Sequence, residues 1–447
     1  MKLKVLDEND KARAGQLGAD PFEGTVLVDH SNIIALDPKK ALAARKCDAK
    51  GLLLKTASNV ALTILGSEEW RGSFGFNELS NEVEWLRRPP IVAGLIRADS
   101  GSKVVDEDIS YIAGELTKAF GDRVVEETIV HRGVNLAART FSFNPLQKYL
   151  RGLVWDGVKR LDGWLTRYVA AADSVYASTV GRWWLVSAVA RALEPGCQAD
   201  NVIVLEGHEG AGKSATLRIL GGDWHLGRLP NLRDAERAAA LMQGKWIIEL
   251  GELDALRGAA ETAVKDFLTQ VADTYRKPYA RVHVTIRRSQ VFAGTTNESQ
   301  YITESGEARR FWPVRVGTCD TVALKRDRDQ LIAEAVAAFR AGERWYPQTN
   351  AEREMLFEQR EERRTVDIWE ERVLSWIGER VNVSIAEVLI GCLNLEPAKH
   401  DRKEQMRIAS ILKRAGRERV KVGSRHGRSW VYQLPQEPVR DANEPDF

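Results

Sequence analysis

Cysteines and long apolar runs are both scarce in this sequence of 447 residues. The four cysteines, Cys47, Cys197, Cys319 and Cys392, lie far apart, with neither C-x-x-C spacing nor histidine neighbours. This isolation argues against a disulfide framework or a zinc site and is typical of reduced thiols in the cytosol. The longest apolar runs are far shorter than the roughly 20 residues that a membrane-spanning helix needs. The polar N-terminus lacks the apolar segment of a secretory signal, so we expect a cytoplasmic protein that binds no membrane.

A large charge of one sign is also missing, because 65 Lys and Arg residues face 63 Asp and Glu residues, for a net charge of +2. The balance is not uniform, since residues 399–428 hold eleven Lys or Arg and three Asp or Glu. Such a cluster indicates a polyanionic partner such as nucleic acid, although a solvated helix face has the same composition. The length exceeds that of one ordinary core and predicts about two to four domains.

The stretch 201–214, NVIVLEGHEGAGKS, carries the most specific motif of the chain. A short apolar strand leads into G-x-x-x-x-G-K-[ST], and a helical run follows, in the order that a phosphate loop requires. Glycines let backbone N–H groups point at phosphate oxygens, the lysine reaches the β- and γ-phosphates, and the hydroxyl faces magnesium. A chance glycine-rich loop is the alternative. The residues expected to hold the nucleotide are Gly207, Gly210, Gly212, Lys213, Ser214 and Ala215.

Acidic residues follow the next predicted strand, Lys245 to Leu250, in WIIELGELD. One carboxylate must hold magnesium through its water shell, and another must orient the attacking water. Because residues three apart on a strand face opposite sides, Glu249 and Glu252 both reach the site only if the strand ends by Gly251. Glu252 is the preferred acid and water-mediated metal ligand, Glu249 is the second candidate, and Asp254 is less suitable. Ordinary surface acids are the alternative.

Two further elements suit triphosphate chemistry. Asn297, in QVFAGTTNE, ends a predicted strand where its amide can position water beside the γ-phosphate, although a polar turn has the same composition. Arg309 and Arg310 precede an aromatic strand, and either can act as an arginine finger that stabilises phosphoryl charge across a subunit boundary. A structural ion pair with a nearby glutamate is the alternative for these arginines.

The segment 265–284, KDFLTQVADTYRKPYARVHV, interleaves cations with tyrosines. Cations can follow a nucleic-acid backbone while aromatic rings stack on bases, so the segment suits single-stranded nucleic acid. A basic surface loop anchored by Tyr275 and Tyr279 explains the composition equally well. The cations concerned are Lys265, Arg276, Lys277 and Arg281.

Strands alternate with helices from the phosphate loop to about residue 340, which predicts a mostly parallel sheet covered by helices on both faces. Residues 282–286 and 290–293 are read as a hairpin or a bent strand. Upstream, helices are predicted from Leu52 onward, including the Trp-rich stretch 68–86. Downstream, three helices and two strands joined by a basic turn predict a winged helix-turn-helix. The expected parts are a polar lead-in (1–45), a helical domain (46–160), the phosphate-loop domain (161–348), a charged, solvated helical linker (349–366) and a basic winged-helix-like domain with its tail (367–447).

Together these motifs resemble the virulence-associated E (VapE/VirE-like) family, ATPases of phages and mobile islands related to superfamily-three replicative helicases. The likeness extends from about Trp155 to Val316. It is carried by WDGVKRLDGWL, GRWWLVSAVARALEPGCQAD, VLEGHEGAGKS, GKWIIELGELDAL, KPYAR, and GTTNE with ARRFWPVRV. It implies an α/β P-loop core of AAA+ type, ATP with Mg²⁺, a ring-shaped homo-oligomer such as a hexamer, and action on DNA.

Carried over by position, the resemblance assigns the phosphate loop to Lys213 and Ser214, the strand-end acid to Glu252 and the sensor to Asn297. Arg309 or Arg310 matches the finger. Glu249, where the family has a plain apolar strand residue, leaves the choice of acid open.

The resemblance also implies DNA contacts. Lys265 and the segment 276–281 match the stretch that related helicases place on DNA in the central channel. The basic C-terminal domain, with Arg425 and Arg428, is expected to dock on duplex DNA. Members often carry a primase ahead of the helical region, and residues 1–45 are too short to hold one, so a separate protein would supply any primer.

The leading hypothesis is an ATP-dependent DNA helicase or translocase that replicates a phage or mobile element in a bacterial host. A second is an ATP-gated DNA-binding initiator without processive unwinding, which strand displacement on forked DNA would distinguish. A third, a small-molecule P-loop kinase, leaves the basic C-terminal residues without a role and predicts turnover that is independent of DNA.

Overall fold

The computed structural model of the chain describes residues 37–87, 101–229, 234–256, 261–276, 283–299, 301, 310–363, 367–396, 401–424 and 427–435. The chain forms two compact units, Met1–Tyr149 and Leu150–Phe447. The finer division into five parts stays a prediction.

In the described residues of the first unit, four helices and a hairpin pack around an apolar core. Its helices are α1 (Pro38–Ala43), α2 (Ala57–Gly66), α3 (Asp106–Leu116) and α4 (Glu127–Ala138), and α5 (Pro145–Gly152) crosses into the second unit. The Trp85 indole is fully buried, and its Nε1 donates to the Asp108 carboxylate over 2.9 Å. This bond ties the hairpin to the first turn of α3.

The expectation of helix throughout residues 68–86 is wrong. Strands β1 (Phe74–Asn77) and β2 (Glu82–Trp85) pair antiparallel there. In β2 the buried Val83 and Trp85 alternate with half-buried glutamates, which is the period of a strand facing a core. Asn81, with φ 56°, supplies the left-handed turn residue between them.

The second unit is built on a five-stranded sheet in the order β4-β5-β8-β3-β9, and each of its strand pairs is parallel. This confirms a mixed α/β architecture with a parallel sheet. The strands are β3 (Val202–Glu206), β4 (His225–Leu226), β5 (Ile247–Leu250), β8 (Val291–Thr296) and β9 (Phe311–Arg315). The helices around it are α6 (Trp164–Val169), α7 (Val175–Leu193), α8 (Lys213–Gly221), α9 (Ala235–Met242), α10 (Glu261–Thr269) and α11 (Thr321–Arg340).

Helices cover both faces of this sheet. One face, with Val204, Ile248 and Phe292, forms a buried cluster with apolar side chains of α9 and α10. On the other face, Trp312 of β9 meets Trp183 of α7, their ring centroids 5.8 Å apart. Side chains on a strand alternate in direction, so every sheet residue is assigned to one of these two layers.

Strands β6 (Ala272–Tyr275) and β7 (Val284–Arg287) form a separate antiparallel hairpin. The expected hairpin or bent strand of β7 with β8 is therefore wrong, because β7 turns back on β6 whereas β8 enters the parallel sheet. Arg288 holds the base of the hairpin, since its buried guanidinium lies 2.7 Å from the buried Asp273 carboxylate. The two charges compensate one another where water is excluded.

The remaining elements of the second unit follow α11. They are α12 (Asn350–Glu361), α13 (Glu370–Ile377), β10 (Asn382–Val383), α14 (Ile385–Glu387, extended by a π-turn, Val388–Cys392), α15 (Arg402–Arg414), β11 (Glu418–Ser424) and β12 (Gly427–Gln433). Strand β12 pairs antiparallel with both β10 and β11. Within the described ranges, no helix has the length and apolar content needed to cross a bilayer.

Candidate active site

The phosphate loop joins the end of β3 to the start of α8 at the carboxyl edge of the parallel sheet. Gly210 and Gly212 have φ angles of 78° and 95°, in the left-handed region that side chains disfavour. A Cβ atom on Gly212 would also lie 3.0 Å from Cys319 Cβ. The loop therefore needs glycine at these positions, and its tight turn opens at the N-terminus of α8.

Lys213 is 7% exposed, and its ammonium group has three oxygen neighbours. The Nζ atom donates to the carbonyl oxygens of Gly207 over 2.5 Å and His208 over 2.9 Å, and to Asn297 Oδ1 over 2.7 Å. An ammonium group has three donors, so this environment satisfies it. The structure thus brings together two of the predicted site residues, Lys213 and Asn297, which lie 84 residues apart in the sequence.

Ser214 and Glu249 also meet at this edge. Ser214 Oγ donates to Glu249 Oε1 over 2.5 Å, and Thr295 Oγ1 donates to the same oxygen over 3.2 Å. His225 Nε2 lies 3.3 Å from Glu249 Oε2. Glu249 is only 3% exposed, so its carboxylate is held among polar groups on the sheet face that carries α8.

Glu252 occupies a different environment. Strand β5 ends at Leu250, before Gly251, as it must if Glu249 and Glu252 are both to reach the site. Glu252 follows in a 3-10 turn with φ 49° and ψ 19°. Its side chain is exposed, whereas Glu249 contacts the phosphate-loop serine directly. The choice between the two acids stays a prediction, and this geometry favours Glu249.

A buried charge cluster at Glu206 was not anticipated from the sequence. Arg363 Nε donates to both Glu206 oxygens over 3.1 Å, and the Tyr301 hydroxyl donates to Glu206 Oε1 over 2.8 Å. Arg363 and Glu206 are each 4% exposed, so the end of the region expected to be a solvated linker packs beside the phosphate loop. A glutamate that ends an otherwise apolar strand was the available signal, because a buried carboxylate needs a cationic partner.

This cluster controls charge next to the loop. Glu206 directly precedes Gly207, and an uncompensated carboxylate there would repel a triphosphate. Arg363 neutralises it. Burial, followed by the nearby Glu206 carboxylate, raises the pKa of Tyr301, so its phenol stays protonated and keeps donating.

Arg310 lies inside its own chain. It is 3% exposed, and its Nε donates to Asp200 Oδ2 over 3.1 Å. A finger that acts across a boundary needs an exposed guanidinium, so this position favours the alternative of a structural ion pair for Arg310. Arg309 lies outside the described residues, together with Glu304 and Glu307, and the finger assignment stays a prediction.

The predicted DNA-contacting residues are only partly described. Arg276 is exposed where β6 ends, and its backbone N–H donates to Glu236 Oε1 over 2.9 Å. Tyr275 is 4% exposed, so it is buried in the unit and cannot stack on a base. Lys265 lies on α10 and Arg428 lies on β12, but their side chains are outside the described part of the structure. Lys277, Arg281 and Arg425 lie outside the described residues altogether.

The residues at the sheet edge fit a hydrated magnesium ion bound together with phosphates. Within the described ranges, no group of three or more His, Cys, Asp or Glu side chains could hold a metal by itself. Magnesium commonly keeps several waters and takes one or two protein oxygens plus substrate phosphates. Ser214 Oγ and the Glu249 carboxylate supply such oxygens beside the phosphate loop.

Comparison with known families identifies this part of the chain. Residues 150–365 match the Virulence-associated protein E-like domain, which confirms the resemblance seen in the sequence motifs. A comparison with curated proteins gave no significant match.

Solved structures of the NrS-1 C-terminal region in apo form align with much of the chain. One covers 81% of this chain and 96% of its own at 10% identity with a TM-score of 0.40. Another, an A-form apo structure, covers the same shares at 12% identity with a TM-score of 0.42. TM-scores this low do not establish a shared fold, so no conclusion follows from these alignments.

The position of Arg310 generates a stability prediction. Arg310→Ala leaves Asp200 without its partner and should cost about 2–3 kcal/mol, less than for a fully buried pair because Asp200 is partly exposed. Arg315→Ala, which removes an exposed arginine at the end of the strand that follows Arg310, should change stability by less than about 0.5 kcal/mol. Denaturant unfolding of both variants measures the difference. Equal effects would contradict the structural role of Arg310.

Proposed function

From a virulence-associated protein E-like domain at residues 150–365, we propose that this protein is an ATPase that drives helicase or translocase action on DNA during replication of a phage or mobile element. One observation carries the proposal: Lys213 and Ser214 meet Asn297 and Glu249 behind a glycine-dependent phosphate loop. These are a cation, a hydroxyl, an amide and a carboxylate, the groups that phosphoryl transfer to water requires.

Each of these groups has a distinct role in hydrolysis. The Lys213 ammonium binds the β- and γ-phosphate oxygens in place of its loop carbonyl partners, and the Asn297 amide orients the attacking water. Glu249 takes a proton from that water as its oxygen bonds to the γ-phosphorus and the bond to the bridging oxygen breaks. Magnesium, held by Ser214, would neutralise charge on the β- and γ-phosphates.

The opening beside the terminal phosphate suits a contribution from a second subunit. A cavity of about 520 Å³ lies on this side of the loop, lined by residues that include His208, Asn297 and Arg315. A guanidinium from a neighbouring copy that entered here would reach charge developing on the transferred phosphoryl group. Because Arg310 is buried, we assign the finger role to Arg309 of a neighbouring subunit in a ring. The family likeness favours a hexamer for this ring.

The β6–β7 hairpin supports DNA binding in the channel of such a ring. Residues 276–281, with Arg276, Lys277 and Arg281, lie at or between its two strand ends. A basic segment that joins two paired strands of the ATPase domain can follow a phosphate backbone. Its position in the chain, between the strands that deliver Glu249 and Asn297, links DNA contact to both catalytic groups.

The C-terminal elements supply a second DNA-binding surface. Their order, helix–strand–helix–helix–strand–strand, is compatible with a winged helix in which β11 and β12 would form the wing. The Trp430 indole is 49% exposed, with Arg419 4.3 Å and Lys421 5.6 Å from its ring. Cations around an exposed aromatic ring suit nucleic acid, and this domain would dock duplex DNA through residues such as Arg425 and Arg428.

Loss of the phosphate-loop cation tests the ATPase proposal directly. Lys213→Ala should weaken ATP binding about tenfold to a hundredfold, because charge-assisted bonds to phosphate are lost, and should abolish hydrolysis. Lys159→Ala removes an exposed lysine of the same unit and should bind ATP like the wild type. Titration calorimetry and phosphate release measure the two effects. Full turnover by Lys213→Ala would refute the site.

The two acids can be separated by isosteric variants. Glu249→Gln keeps the hydrogen-bonding shape but removes the base, so turnover should fall about 10²- to 10⁴-fold while ATP binding persists. Glu252→Gln, at an exposed position, should retain most of the turnover. Single-turnover kinetics of both variants decides the assignment. The opposite pattern would return the role to Glu252.

Mixing variants tests the finger and the ring together. Arg309→Ala should keep ATP binding and lose about 10³-fold or more in turnover. Mixed with Lys213→Ala, it should regain DNA-stimulated turnover, because one copy supplies the finger and its neighbour supplies an intact nucleotide site. A mixture of Arg309→Ala with Lys159→Ala, which keeps both the nucleotide site and the finger, gives the reference turnover for this comparison. Failure to regain activity would contradict action across a subunit boundary.

The same samples distinguish a motor from an initiator. A motor displaces the strand of a forked DNA with ATP and loses this activity in Glu249→Gln. The basic C-terminal domain also suits an ATP-gated initiator, which would assemble on DNA and hydrolyse ATP without strand displacement. Sizing the protein with and without ATP and forked DNA, alongside unwinding, separates these two functions.

A further inference from the structure

An open cavity of about 570 Å³ lies on the other side of the phosphate loop, between the starts of two helices. Helix α8 contributes three lining residues and helix α11 contributes the others. The side chains used in the argument are Ala215, Arg218, Ile219, Val322, Lys325 and Arg326. None of these positions has a role in the chemistry of the terminal phosphate described above.

The phosphate loop leads directly into this cavity. Ala215 follows Ser214 in the first turn of α8, and its backbone belongs to the predicted phosphate contacts. The residues before α11 are held against the loop, because Cys319 N–H donates to Ala211 O over 2.8 Å. Asn297 and Glu249 mark the end where the terminal phosphate reacts. The rest of a bound nucleotide must therefore leave the loop past Ala215, toward the cavity.

The lining combines an apolar platform with cations. Val322, 80% exposed in the first turn of α11, faces a cavity shared with Ile219 and Ala215. A valine this exposed loses unfavourable contact with water when a flat aromatic group covers it. The exposed Arg218 and Lys325 add positive charge near the innermost phosphate. The pattern of apolar surface, cations and an adjoining phosphate loop matches a nucleoside joined to phosphates.

Among the described residues that line the cavity, the side chains offer donors but no carboxylate or amide acceptor for the base. Arg326 pairs with Asp327 over 2.8 Å, and Asp327 also accepts from the Tyr168 hydroxyl over 2.9 Å, so this neighbouring acid is already engaged. Thr321 adds a hydroxyl that can donate or accept. Adenine carries an amino donor at position 6, which needs an acceptor, whereas guanine carries the O6 acceptor there, which arginine or lysine can bind.

We infer that this cavity holds the nucleoside half of the triphosphate and accepts guanine as well as adenine nucleotides, with affinities within about tenfold of one another. The inference rests on the proposed function, because it extends the same nucleotide site. The apolar side chains contribute affinity through contact with the base. Because the other lining side chains are mainly donors, they give little preference for the adenine amino group.

Binding of three ligands tests the inference: ATP, GTP and inorganic tripolyphosphate, the last of which occupies only the phosphate loop. Val322→Gln should weaken both nucleotides about fivefold to tenfold, through lost apolar contact, and leave tripolyphosphate unchanged. Val175→Gln is the matched control, since Val175 is 78% exposed in the first turn of α7. It should bind all three ligands like the wild type.

The outcomes separate this inference from the ATPase proposal. Unchanged nucleotide binding by Val322→Gln, an equal loss in Val175→Gln, or a preference of more than about tenfold for either ATP or GTP would overturn this inference alone. If tripolyphosphate binds as tightly as ATP and GTP, the cavity adds no affinity and the inference also fails. If the wild type binds none of the three ligands, the phosphate loop itself does not function and the proposed ATPase activity is refuted together with this inference.

Discussion

The ammonium group of Lys213 is held by oxygens from the phosphate loop and from the end of β8, and this contact determines the geometry of the site. It exists because β3 and β8 are parallel neighbours, so that both strands end at the same edge of the sheet. Strand β5, on the other side of β8, brings Glu249 to the same edge. A different strand order would separate the cation, the amide and the carboxylate by the width of one or more strands, about 5 Å each.

The face of the sheet matters as much as its edge. Glu249 pairs in register with Ala293, so Thr295, two residues further along β8, lies on the same face. Helix α8 packs on that face and presents Ser214 to the carboxylate. The buried polar contacts of Glu249 thus compensate for the cost of placing a charge in a strand whose neighbours Ile248 and Leu250 belong to the opposite, apolar layer.

The chain beyond the parallel sheet also contributes to the site. Arg363, just after α12, neutralises Glu206 immediately before the phosphate loop, and Tyr301 joins the same carboxylate from the segment after Asn297. Three stretches that are distant in sequence therefore meet at one buried group. Arg363 directly precedes the C-terminal part of the chain, so this ion pair holds the start of that part beside the phosphate loop.

The sequence by itself determined the phosphate loop, the alternation of strands and helices, and Asn297 as the end of a strand, because each depends on neighbouring residues and on periods of two or 3.6. The tertiary structure decided which acid meets Ser214, that Arg310 is buried on Asp200, and that Arg363 reaches Glu206. It also decided the β1–β2 and β6–β7 hairpins, where local composition suits more than one structure. These features depend on strand order and on the side of the sheet that a helix covers, which bring together residues up to about 160 positions apart, beyond the range of any local pattern.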